Sequence, residues 1–462
     1  MEGRESKKYG VFVFLSIIFL IVSVTFLPGR SFAGDMEVLL DELVNKGILT
    51  KQDADNLLKK MQEKKTKEVV KVEAKEKAPE PEWVKKLPDW IKNPPDWIKN
   101  TKISGDLRLR YQYNHKDTTP DDNPARERGR FRYRVGATTQ IIDKVTVGFG
   151  LASGESQDPR TVDVTFANTF SKKLININYA FAQYKPLKWL SLSGGKLATN
   201  PIFRDSSFSQ GFWPSELAWD NDITPEGAGL VFNYPEILNF SVFSLDVFMN
   251  NAFFILDENR PAGSGREPYM WVFQPGFNLK IMKDLNFKAA LAKYIFSNIE
   301  RRQQLQFSSN SNSLVGGKYA FNYDAWIASA EFGYRNPFGQ EIVPYVGLFG
   351  EYIYNPDPDV EKRAYLAGIR VGYPSLKKFG DWQLSYSYRR LDRDAWLDSF
   401  PDSTFYGGAT NSKGHKGSIY FGLAKNIYCD INYFHAVNII EFSTPNAKRP
   451  EDVFQADIQF NF

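Results

Sequence analysis

The sequence is poor in sulfur and imidazole, with one cysteine, Cys429, and three histidines, His115, His415 and His435, in 462 residues. A single cysteine excludes an intrachain disulfide and any cysteine-based zinc site. It lies between Ile427 and Ile431 at an apolar parity and reads as a small hydrophobe. No Ser or Asp stands at a spacing from these histidines that singles out a catalytic triad, so no catalytic residue is assigned and an enzyme built on this chain is disfavoured. Neither sign of charge dominates: 58 Lys and Arg against 54 Asp and Glu give +4, and the chain after residue 33 carries +2. Nucleic-acid binding is therefore not indicated. Long apolar runs are absent after Leu27, and a mean hydropathy of −0.40 is unlike a bundle of membrane helices.

What the sequence does hold is aromatic residues, 15% of the chain with 37 Phe and 23 Tyr. Such a surplus suits a membrane β-barrel with aromatic girdles at both interfaces, the alternative being a Phe-rich soluble β-domain. Residues 1–33 read as a secretory signal: Arg4, Lys7 and Lys8, an apolar run from Val11 to Leu27, and Ser31-Phe32-Ala33 as a cleavage site. The run is also long enough for an uncleaved anchor. No cysteine follows Ala33 until Cys429, which argues against a lipoprotein.

Residues 34–78 change character. Met36, Leu39, Leu40, Leu43 and Val44 recur at helical spacing, Gly47 suits a C-terminal cap, and Thr50 with Asp53 imitates a capping box before Ala54, Leu57, Leu58 and Met61. The Lys/Glu-rich continuation to Lys77 is either a solvated helix or part of an oligomeric coil. In 79–101 a seven-residue unit recurs, Pro81-Glu-Trp, Pro88-Asp-Trp and Pro95-Asp-Trp, each suited to a short helical turn presenting Trp83, Trp90 or Trp97. These tryptophans would pack on a neighbouring rim or dock to an interface or partner.

From 102 to 462 the chain breaks into sixteen segments of period-two alternation. They are 103–114, 128–141, 145–153, 174–185, 190–197, 227–234, 240–250, 268–282, 285–296, 319–334, 341–354, 363–373, 381–391, 415–425, 427–437 and 452–462. The number is even, as bacterial single-chain barrels require. Short connections such as Ile142-Asp-Lys and Ala424-Lys-Asn alternate with long ones, including 154–173, 198–226, 297–318 and 393–414. Alternation of that kind predicts short turns on the periplasmic side and long loops outside. The expected fold is an all-β transmembrane barrel, closed and antiparallel, of about 16 strands, with a short N-terminal periplasmic helical arm. Side-chain alternation, Ile175, Ile177, Tyr179 and Phe181 against Asn176 and Asn178, predicts apolar residues outside and a wet lumen.

The densest charge pattern lies on the first two segments, where Asp106, Arg108 and Arg110 share one face and Arg130, Arg132 and Arg134 another. Each arginine facing lipid near midplane would cost roughly 2–4 kcal/mol, so both faces should look into the lumen. A hairpin closed near residue 121 would set Arg110 near Arg132 and Arg108 near Arg134, and such like charges need an offset. The third long link carries Asp205, Glu216, Asp220, Asp222 and Glu226 among several aromatics. Folded inward, it would narrow the pore and set its carboxylates against the arginines; folded outward, it would cap the mouth. Asp220-Asn-Asp-Ile-Thr-Pro-Glu also invites a calcium reading, but it lacks the glycine and other ligands of a known loop, so a hydrogen-bonded turn is preferred and no metal or cofactor is assigned.

Trp219-Asp-Asn-Asp-Ile-Thr-Pro-Glu-Gly-Ala-Gly, preceded by Gly194-Gly-Lys-Leu-Ala-Thr-Asn-Pro, resembles the Putative porin family of Gram-negative outer membranes. Leu39-Leu-Asp-Glu-Leu-Val-Asn-Lys-Gly-Ile-Leu-Thr fits the same resemblance. The closing strand Val453–Phe462, with Phe462 last, is similar to the signal that the barrel-assembly machinery reads in such barrels. The resemblance implies an outer-membrane porin in contact with lipid, an inward third loop opposite a basic wall, and a homotrimer. Peptidoglycan or another periplasmic partner would be met by the arm. A solute-selective, anion-preferring channel and a surface receptor or adhesin remain alternatives.

Overall fold

The computed structural model describes residues 88, 94–117, 125–155, 157–167, 169–198, 216–258, 266–338, 343–440, 442–443, 446–447 and 449–462. The expected signal peptide, the 34–78 helices, Trp83, Trp90 and Asp205 lie outside the described residues. Pro94 to Phe462 form one unit.

That unit is a wall of sixteen long strands among the described residues. They are β1 (Lys102–Lys116), β2 (Arg126–Ile142), β3 (Val145–Ser153), β4 (Ile175–Leu187), β5 (Leu190–Lys196), β6 (Glu226–Asn239), β7 (Phe243–Ile255) and β8 (Tyr269–Ile281). The second half comprises β9 (Leu285–Ser297), β10 (Trp326–Arg335), β11 (Tyr345–Tyr354), β12 (Arg363–Gly372), β13 (Trp382–Leu391), β14 (Ser412–Ala424), β15 (Ile427–Asn438) and β16 (Glu451–Asn461). All neighbours pair antiparallel, and β1 also pairs with β16, from Asp106 opposite Asn461 to Lys116 opposite Glu451. Closure leaves no strand edge unpaired, which a structure surrounded by lipid requires. Each expected segment corresponds to one strand. The tenth starts later than expected, at Trp326, because Lys318–Tyr319 pairs instead with Leu314–Val315 in a separate two-stranded ladder.

The pleat sorts side chains as polarity demands. On β16, Gln455, Asp457 and Gln459 turn inward and are buried, while Ile458 faces outward. Two features depart from simple alternation. Between Gly150 and Leu151 the β3/β4 register shifts, so Tyr179 pairs with Gly150 while Ile177 pairs with Leu151. One bulged residue reverses facing. Ile175 and Ile177 stay outside as expected, but Tyr179 and Phe181 turn inward and lie over Gly136, Gly148 and Gly150. A Cβ on Gly136 would sit 1.8 Å from the Tyr179 hydroxyl, so the aromatic ring occupies space that only glycine leaves open. Pro275, on the outer face of β8, lacks the amide a ladder needs, and the β8/β9 register is interrupted between Gly276 and Phe273.

At the seam, Gly105 and Phe462 exchange backbone hydrogen bonds of 2.8 and 3.0 Å. The Phe462 ring lies across Gly105 and stacks on Tyr133 at 6.2 Å. The third Trp unit forms a single helical turn, α1 (Asp96–Lys99), after Pro95. Thr139, on the outer face of β2, donates a 2.6 Å hydrogen bond to the Trp97 carbonyl, and the indole is half exposed beside the wall.

Inside, one hydrophobic cluster joins inward side chains of the wall, among them Phe254, Tyr294 and Ile327, to residues of three links: Trp219, Tyr323 and Trp396. Links in this barrel therefore fold into its interior.

Candidate functional site: the charged inner wall

The inner face of β1 and β2 is a ladder of arginines set by register. Arg108 lies opposite Arg132, Arg110 opposite Arg130 and Asp106 opposite Arg134. The sequence-based pairing was two residues off, because the hairpin centre is one residue earlier than residue 121; parity, and hence facing, is unaffected. Like charges directly opposite one another destabilise a sheet unless something lies between them.

Four aspartates supply the offset. Asp106, on β1 itself, accepts from Arg132 Nε at 2.9 Å and Arg134 Nε at 2.7 Å. Asp457, on β16, takes a bidentate grip from Arg110 at 2.8 and 2.6 Å, a geometry that suits guanidinium and carboxylate. Asp163 accepts from Arg108 at 2.6 Å and Arg110 at 3.1 Å, and lies 3.6 Å from Arg130. Asp222 approaches Arg134 at 3.5 Å and Arg132 at 3.8 Å. Arg128, sixth in the ladder, donates to Asn114 at 2.9 Å.

Asp163 reaches this wall through a break in it. β3 ends at Ser153, the chain dips inward, and Val164–Thr165 then rejoins β2 opposite Phe131 and Arg130. Ser153 Oγ holds the base of the excursion by donating to the Val162 carbonyl at 2.9 Å. The carboxylate one residue before the rejoined strand is thereby delivered to the arginines.

Of the five acids expected to face the arginines, Asp205 lies outside the described residues and the other four are dispersed. Among these four only Asp222 reaches the arginines. Glu216 pairs instead with Lys416 of β14 at 2.5 Å, and its carbonyl accepts from Arg389 of β13 at 3.1 Å. Asp220 forms the expected hydrogen-bonded turn, accepting from the Asp222 amide at 2.9 Å and the Ser403 amide at 2.7 Å. Burial, and the neighbouring Asp222 and Asp402 charges, push its carboxyl well above the usual range. Glu226 is not on the inner face. It opens β6 at outward parity opposite Lys196 and pairs with that ammonium at 3.0 Å. Among the described residues no group of three or more His, Cys, Asp or Glu could hold a metal ion.

The interior is filled chiefly by links that sequence reasoning passed over. Trp396, fully buried, donates to the Ala218 carbonyl at 2.7 Å, and Trp219 lies 4.6 Å from Phe400, centroid to centroid. Asp398 accepts from Ser308 Oγ at 2.8 Å and the Ser311 amide at 2.7 Å, and Asp394 from Tyr323 at 2.9 Å. These bonds fasten the 392–411 link to the 298–325 link. Asp392-Arg-Asp-Ala-Trp-Leu-Asp mixes acids with aromatic and aliphatic residues much as the third link does, and that was the signal available.

A family model described as Putative porin matches residues 113–324 and 351–462. The chain belongs to this family. This porin is accordingly an outer-membrane transport barrel, and members of its family are typically non-enzymatic channels. Solved structures similar to it include a triple mutant of Rhodopseudomonas blastica porin, 12% identical over 78% of this chain and 100% of that one, with a TM-score of 0.40. Salmonella typhi OmpF in complex with daunomycin is 13% identical over 78% and 97%, with a TM-score of 0.46. Pseudomonas putida OprB is 12% identical over 79% and 95%, with a TM-score of 0.48. The comparison with curated proteins finds no match.

Proposed function

We propose that this porin lets small hydrophilic solutes diffuse passively through a water-filled lumen, along the Arg/Asp ladder and past the inward-folded links. The observation that carries the reading is the ladder itself: six arginines and four aspartates line one inner wall while the outer face of the same strands is apolar. Charges lining a passage with low-dielectric walls focus their field on ions that enter it, and charged side chains of this kind set selectivity in channels. Arg108, Arg110, Arg130, Arg132, Arg134 and Asp222 line the narrowest stretch in this reading. Glu216 and Asp220 brace the third link.

The long links would face outside, with the short turns and both barrel ends in the periplasm. Three copies would assemble in the membrane after insertion by the assembly machinery, with Phe462 as the recognised residue, and the N-terminal arm would meet peptidoglycan. Recording from refolded, purified protein in a planar bilayer tests the channel: discrete ohmic steps are expected, and a folded barrel with no conductance would refute it.

A preference for anions is the second reading: six arginines line this wall against the four aspartates that pair with them, with Asp430 of β15, opposite Asp457, and Glu155 adding negative charge beside them. The reversal potential under a salt gradient reads this, and a cation-selective pore would exclude it.

A further inference from the structure

The outer wall carries a basic sector that the channel does not use. Arg363 opens β12, Arg390 lies near the end of β13 and Lys413 near the start of β14, all at outward parity and all at the long-link rim. Arg390 stands directly opposite Lys413. Only Arg390 has a carboxylate partner, Asp392 at 2.8 Å; Arg363 and Lys413 form no ion pair among the described residues. Strand spacing puts β12 and β14 about 10 Å apart, close enough for one anionic headgroup to lie between the two free cations.

What lies beneath these cations narrows the partner. Tyr365 pairs with Arg390, and Tyr388 with His415, whose Nδ1 is 2.6 Å from the Tyr386 hydroxyl. A belt of phenols and imidazole marks the level of the membrane interface. Further down the same strands the outward residues are aliphatic: Ile369, Leu384 and Ile419, all exposed. Leu384 lies about 20 Å from Arg390 along the strand. Cation, aromatic hydroxyl and aliphatic surface thus follow one another in the order of the headgroup, interface and acyl chains of a lipid. At the corresponding rim of β5 and β6, by contrast, the outward Lys196 is neutralised by Glu226.

We infer that Arg363, Arg390 and Lys413 form a docking site on the outer wall for the phosphate headgroup of an anionic lipid whose acyl chains lie down β12–β14. The inference rests on the membrane reading of the barrel but not on conduction, since all three side chains point away from the lumen.

The test uses the full chain in nanodiscs containing phosphatidylglycerol and phosphatidylcholine with identical acyl chains, and measures the lipid retained by the barrel after exchange into detergent. Wild type should retain phosphatidylglycerol preferentially, and Arg363→Gln with Lys413→Gln should cut that preference about 30-fold, the loss expected for two cations near an anionic surface. Arg363→Lys with Lys413→Arg should restore it. Unaltered retention in the Gln variant, shown to be folded by its heat-dependent gel mobility, overturns the proposal. So does complete displacement of phosphatidylglycerol by millimolar inorganic phosphate, which would mark a site for free anions. Bilayer conductance read on the same samples separates the two readings: lipid preference without conductance would remove only the channel.

Discussion

Asp163 is the most informative single position, because one carboxylate serves three arginines. Asp163→Asn keeps the shape and removes the charge, so the ladder becomes more positive by one unit. A unit charge about 5 Å from an ion in water is worth about 0.8 kcal/mol. Screening at 0.1 M salt reduces that to about 0.5 kcal/mol. Anions then gain, and cations lose, roughly twofold in local concentration, and the anion-to-cation permeability ratio should rise about fivefold. At 1 M salt, with a screening length near 3 Å, most of the change should vanish. Reversal potentials in planar bilayers at both ionic strengths measure it. Glu226→Gln is the matched control: it removes a carboxylate at the same rim that sits on the outer face, paired with Lys196, and should leave selectivity unaltered. If Asp163→Asn folds and its reversal potential equals that of wild type, or if Glu226→Gln shifts as much, the ladder does not set selectivity.

Other changes probe the scaffold. Trp396→Ala should cost about 3–5 kcal/mol of packing in the links while leaving the wall intact; faster proteolysis within 392–411 and noisier conductance are expected, and an unchanged digestion rate would refute the packing role. Burial and the Asp222 and Asp402 charges hold the Asp220 carboxyl well above the usual carboxylate range in the folded state, so its contribution is full below about pH 4 and is lost as pH rises through the raised value. Exchange of the Ser403 amide should therefore quicken as pH rises beyond the intrinsic rate increase, and Asp220→Asn should remove the excess; an identical profile in the variant would contradict the assignment. Gly105→Val would put a Cβ 2.3 Å from the Arg134 carbonyl and into the Phe462 ring, so refolding to the heat-modifiable form should fail or slow at least tenfold. Wild-type refolding kinetics would show that the seam can yield.

The wall was legible in the sequence because a closed barrel enforces period two on every strand, and turn chemistry marks each reversal. Facing of the arginines followed from the cost of charge in lipid, which does not depend on knowing partners. Their partners were not legible. The alternation of the closing strand puts Asp457 at inward parity, but its meeting with Arg110 requires the β1/β16 register, fixed only on closure. Asp163 requires the excursion after Ser153, and no local pattern distinguishes that from an ordinary loop. Tyr179 and Phe181 were placed outside because a one-residue bulge leaves no trace in the hydrophobic alternation, although glycines at Gly136, Gly148 and Gly150 on the facing strands were a clue to a flat surface awaiting rings.

The rejoined pair Val164–Thr165 has a consequence for how such a protein can diversify. Because the barrel is stitched shut again after the inward detour, what the detour projects into the interior is carried by residues that take no part in the strand pairings of the wall. Traffic through the passage can then be retuned independently of the container.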